Sequence, residues 1–194
     1  MIFAHGVDAT GQESLLAFVE LGLTHMLTGW DHLLFIAGVV LLAWHPRRAA
    51  GLLSLFALGH STTLITATLA GWRLDAGLVD IVIADSVAFV GVAGLLGRPA
   101  RFRWFGAAVL AFGLVHGLGL ATRFQALPIP AGGSIPRLLA FNVGVELGQV
   151  LALYLLYVLG ELAVRASSWP RAERAIFAGL TAVGLATGIG LALP

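Results

Sequence analysis

The chain has 194 residues, of which 59% are hydrophobic and only 11% charged, with a net charge of +1. Charge that sparse is less than half the share usual in soluble domains, and a mean hydropathy of +0.95 excludes an ordinary soluble globule. Cysteine is absent, so disulfides, thiolate ligands and Cys nucleophiles are excluded too, and nothing in the charge points to a nucleic-acid partner.

Several runs of about 20 apolar residues predict an all-α polytopic membrane protein, one integral membrane domain over 1–194 with about six transmembrane helices. The ~10-residue alternating segments of a β-barrel are missing. Residues 1–12 read as a short extramembrane tail, and no cleavable leader is visible, since Met1-Ile2-Phe3-Ala4 is too short for its apolar region. Ala4-His5-Gly6 as the start of a processed chain stays open. Gly11 to Gly22, with Glu13 and Glu20, reads as an amphipathic helix lying at the interface or leading into the first span, so that 1–23 is tail and interfacial helix. The spans are expected at about 24–44, 51–71, 77–97, 104–124, 137–164 and 174–192. The segment 125–136, with three prolines and Gly132-Gly133, reads as a loop. Ala166 to Pro170 should break the chain before the last span.

All 11 basic residues are arginine, and eight of them (Arg47, Arg48, Arg98, Arg101, Arg103, Arg165, Arg171, Arg174) follow spans one, three and five. Arg73, Arg123 and Arg137 lie on the opposite side. The positive-inside rule then places both termini outside the cytoplasm, in what is expected to be a bacterial inner membrane. Trp44, Trp72, Trp104 and Trp169 fall at span ends, as an interfacial aromatic belt requires.

His25-x5-Asp31-His32 is the densest polar stretch. Ionisable residues inside a span are costly and mark function by default. On a straight helix His25 and His32 would stand roughly 10 Å apart, too far for one ion, so either Thr28-Gly29 breaks the helix or the two serve different steps of an entry path. Counted from the outer span ends at 1.5 Å per residue, His32, His60, Asp85, His116 and Glu146 all lie about 12–16 Å deep. Five spans thus bring one ionisable group each to a common layer. Imidazole with carboxylate suits a divalent transition metal: Ni, Co, Zn or Cu. The expected ligands are His25, Asp31, His32, His60, Asp85, His116 and Glu146, although Asp31 could instead orient a histidine. Asn142, Glu146 and Gln149 form one polar stripe, with Asn142, Gln149 and Ser86 expected to support the ligands. Interhelical bonding by the two amides is the alternative, but Glu146 is harder to explain that way and the stripe is expected to line the site. Asp80, nearer a span end, reads as merely solvated.

These motifs resemble the HupE/UreJ membrane proteins, and the second subgroup most. His25-x5-Asp31-His32 is similar to that family's H-x5-D-H signature. Gly59-His60-Ser61, Phe112-Gly113-Leu114-Val115-His116-Gly117-Leu118-Gly119 and Phe141 to Gln149 resemble its later motifs, the likeness covering about 20–155. It implies a hydrogenase or urease accessory protein acting as a nickel or cobalt permease, with His25, Asp31, His32, His60, His116 and Glu146 as its functional positions. Asp85 departs from the Glu expected there. Partners implied are the lipid bilayer and a metal ion, with a second copy or metalloenzyme maturation proteins left open.

Two functions follow, a purely structural or partner-binding subunit being set aside because it explains none of the buried charges. One is a divalent-metal permease with a His/carboxylate site in the outer half of the bilayer. The alternative is an intramembrane metal-dependent hydrolase, with an open metal position, Glu146 or Asp85 as base, and Ser61 or Ser86 as a nucleophile in one variant. No HExxH or GxSxG motif accompanies it. The inner halves, such as Leu33 to Trp44 and Val87 to Gly97, carry almost no ligand type, so a continuous polar channel is not expected.

Overall fold

A computed structural model describes residues 14–97, 102–127, 134–164 and 169–193. The expected tail, most of the loop before span five, and Arg98, Arg101 and Arg165 lie outside the described residues. These residues form seven helices and no strand: α1 (Leu15–Thr28), α2 (Trp30–Ala43), α3 (Pro46–Ala70), α4 (Ala76–Leu95), α5 (Phe102–Phe124), α6 (Ser134–Val164) and α7 (Trp169–Ala192). Five of them, α3 to α7, are long and apolar enough to cross a membrane. The chain is a helical integral membrane protein.

Local chemistry sets several ends. Ser14 caps α1 by accepting from the Ala17 amide, and Asp75 caps α4 by accepting from that of Leu78. Pro46 occupies the first turn of α3, where its missing amide costs nothing. Gly71 closes α3 at φ 69°, a left-handed cap that glycine adopts without penalty.

The expected first span, 24–44, is not one helix. α1 and α2 meet at Gly29 with a bend of 64°. Nor does α1 stand apart as an interfacial helix: it packs along α6 in parallel. Gly22 abuts the Phe141 carbonyl, Gly144 that of Val19, and Met26 lies against Gly148. Phe18 sits beneath the Arg137 guanidinium, 5.7 Å from ring centre to cation. At the other end, Val40, Leu41 and Trp44 of α2 share a small cleft with Tyr157, Gly160 and Glu161 of α6. The bent pair therefore follows α6 from one end to the other. Taken together, the two helices are long and apolar enough to count as a sixth candidate span, broken at Gly29.

Glycines join the other long helices into two more close pairs. Gly59 of α3 faces the Leu110 carbonyl of α5, while Gly113 and Gly117 of α5 face the carbonyls of Phe56 and His60. Thr63 adds a hydrogen bond to the Leu114 carbonyl at 2.7 Å. Gly91 and Gly184 do the same for α4 and α7, against Thr181 and Ala88. Between helices in lipid, small residues permit the dispersion contacts that replace a hydrophobic driving force. α2 fills the centre, with Phe35, Ile36, Val39 and Leu42 all buried. It reaches its neighbours through side chains, as at Gly38 beside Val90 and Leu180.

Candidate metal path

The break at Gly29 creates the site. With the helix axis turned, the rings of His25 and His32 stand 5.2 Å apart between centroids, about half the straight-helix distance. His32 is also edge-on to His116 of α5, at 5.3 Å. His32 is thus the middle of three imidazoles drawn from three helices.

Hydrogen bonds fix two of the rings. Asp31 Oδ1 accepts from His32 Nδ1 at 2.9 Å and from the His32 amide at 2.8 Å. This leaves Nε2 of His32 as the lone-pair nitrogen. Asp31 sits in the first turn of α2, where the helix dipole favours a carboxylate. His116 Nδ1 donates to the Phe112 carbonyl at 2.8 Å. Its Nε2 is buried and has no hydrogen-bond partner among the described residues. A buried polar atom without a partner is costly and calls for a reason.

The three histidines open into a cleft of about 350 Å³. Along α5 it is lined by His116, Leu120 and Arg123, one face of the helix from floor to mouth. Asp80, Ile83 and Ala84 line it from α4, and Thr187 and Leu191 from α7. Thr28, Gly29, Trp30 and Asp31 complete the wall at the break. Asp80 is not simply solvated, because it is ion-paired with Arg123 at the mouth. Sequence reasoning missed Arg123, Asp80, Trp30, Thr28 and Thr187 as lining residues. The available signal was the opposite charges of Asp80 and Arg123 near the same end of adjacent spans. Beneath the histidines the chain turns apolar: Phe56 lies 4.9 Å and Phe35 6.3 Å from the His116 ring.

The other expected ligands stand elsewhere. His60 is buried and stacks on Phe56, 6.2 Å away and nearly parallel, and it does not line the cleft. Glu146 is exposed on the α3–α6 side and accepts from Ser61 at 3.1 Å and Asn142 at 2.9 Å. Gln149 donates to the Leu53 carbonyl at 2.9 Å. The polar stripe therefore ties α6 to α3 and does not line the cleft. Asp85 is exposed beside Gly188 of α7, also outside the cleft. Ser86 is fully buried and donates to its own helix at the Ile83 carbonyl, 2.6 Å. The base and nucleophile positions of a hydrolase, Glu146, Asp85, Ser61 and Ser86, are all off the cleft.

Among the described residues no three His, Asp or Glu side chains are placed to hold one ion together. The donor chemistry nevertheless suits a borderline divalent metal: imidazole nitrogens, one of them backed by a carboxylate. The arrangement offers successive single donors rather than a closed cage.

Among known proteins, a family described as HupE / UreJ protein matches residues 4–191. No curated protein and no solved structure matches the chain. With nearly its whole length matched, the chain belongs to the HupE/UreJ family.

Proposed function

We propose that the chain is a permease for a divalent transition-metal ion of the nickel or cobalt kind. The ion is taken up from the extracytoplasmic side through the histidine cleft. The observation that carries this is His116 Nε2, a buried lone-pair nitrogen with no hydrogen-bond partner among the described residues, one ring away from His32. A merely structural histidine would bond both nitrogens. Family membership supports the choice of metal.

His25, His32 and His116 receive the ion in turn, and Asp31 holds His32 with Nε2 toward it. Single donors in series bind weakly enough to release, as conduction requires. The phenylalanines beneath His116 close the inward route at rest, so passage needs a conformational change.

Nickel and cobalt titrations of the purified chain test this, with uptake into vesicles alongside. His32→Ala and His116→Ala should each abolish most bound metal and uptake while the protein stays monodisperse. Unchanged metal stoichiometry in both variants would remove the site, and binding without any uptake would remove the permease.

A further inference from the structure

The Asp80–Arg123 pair sits where a cation must pass. Both side chains line the cleft that holds the three histidines, and both are one-third exposed. A fixed positive charge at the mouth of a cation path repels the very ion the path is for. Clamping the helix ends together does not explain it. Around Arg123, Thr122 already accepts from the Leu74 amide at 3.2 Å, and Gln125 donates to the Trp72 carbonyl at 2.9 Å. Gly119 packs directly on Val79. The backbone at the mouth is thus held without the ion pair.

We infer that Asp80 is the first station for the incoming cation and that Arg123 is a tethered stand-in for it. The inference rests on the permease reading. In the metal-free protein the guanidinium neutralises Asp80. A divalent ion, carrying twice the charge, displaces it; a monovalent ion gains no more from the carboxylate than the guanidinium already does. Displaced, Arg123 turns toward water, and the ion passes from Asp80 oxygen to histidine nitrogen. The pair therefore selects by charge, and the histidines select by donor chemistry.

The test is nickel titration of the full-length chain in lipid nanodiscs, with and without sodium chloride as competitor. Arg123→Gln should bind nickel about fivefold more tightly at low salt, the scale of a partly exposed charge at a rim. Sodium should then compete, as it does not in the wild type. Arg123→Met keeps the aliphatic stem, so it repeats the test with packing retained and should show the same gain. Asp80→Asn should bind more weakly than wild type, and Asp80→Asn/Arg123→Gln should show neither the gain nor the sodium competition. An Arg123→Gln or Arg123→Met variant with unchanged or weaker nickel binding overturns the inference. So does a double variant that keeps the gain, because Asp80 would then be irrelevant. His116→Ala separates the two levels. If it binds nickel like the wild type, the permease reading itself fails; if it loses nickel while the Arg123 variants change nothing, only the role of the pair fails.

Discussion

Asp31 hydrogen-bonds within its own helix, and through that bond it decides which nitrogen of His32 faces the cleft. Carboxylates that orient a metal-binding imidazole typically matter by about 10–100-fold in affinity. Asp31→Asn should lower nickel affinity by that order without loss of folded protein, read by equilibrium dialysis. An unchanged affinity would mean that His32 is held by packing alone. The sequence made this pair legible because its members are adjacent. It did not make His60, Asp85 or Glu146 legible as residues outside the cleft. Their common depth follows from counting residues along each span, but depth is only one coordinate. The other is the rotation of each helix about its axis, which packing sets. Phe56 stands four residues before His60, on the same face, and its ring contacts both His60 and His116. Asp85 shares an outward face with Phe89 and Val92. No count along the chain distinguishes these from His116.

At the scale of the helix, Gly29 decides the geometry. Its backbone, at φ −70° and ψ 98°, lies in a region that alanine also adopts. A Cβ there would come within 2.6 Å of His32 Nδ1 and 3.0 Å of Asp31 Oδ1. Gly29→Ala should therefore fold but displace the His32 ring, weakening metal binding with little change in melting temperature. Gly22 and Gly144 behave in the opposite way. A side chain at either would strike a carbonyl of the facing helix. Gly22→Leu or Gly144→Leu should cost roughly 1–3 kcal/mol or more through overpacking, seen as a lower melting temperature in detergent. The small-residue spacings at 113/117 and 144/148 were readable as contact surfaces. Which helix each would meet was not, since close packing of glycine favours no particular partner. The break at Gly29 was one of two readings of the His25–His32 spacing, and tertiary packing along α6 decided it.

For the whole molecule, the six expected crossings and the arginine bias make a testable topology. Reporter fusions at residues 47, 100 and 168 should read cytoplasmic; two reading external would invert the protein. The absence of cysteine makes thiol labelling clean. Thr28→Cys and Thr187→Cys, in the cleft, should react with impermeant reagents from the extracytoplasmic side and be protected by nickel. Val40→Cys and Val109→Cys, at buried positions in the half expected to face inward, should stay unlabelled from either side at rest. The membrane class was fully legible, because composition alone specifies it, whereas the pairing of helices depends on contacts between distant segments. That pairing has a mechanical consequence. His25 belongs to the α1–α6 pair, His116 to α3–α5, Asp80 to α4–α7, and His32 to the central α2. A cation shared between any two of these groups is a cross-brace between bodies that otherwise touch mainly through soft side-chain contacts. Its arrival should slow amide hydrogen exchange along whole helices well away from the cleft, and its departure should let the pairs move apart again.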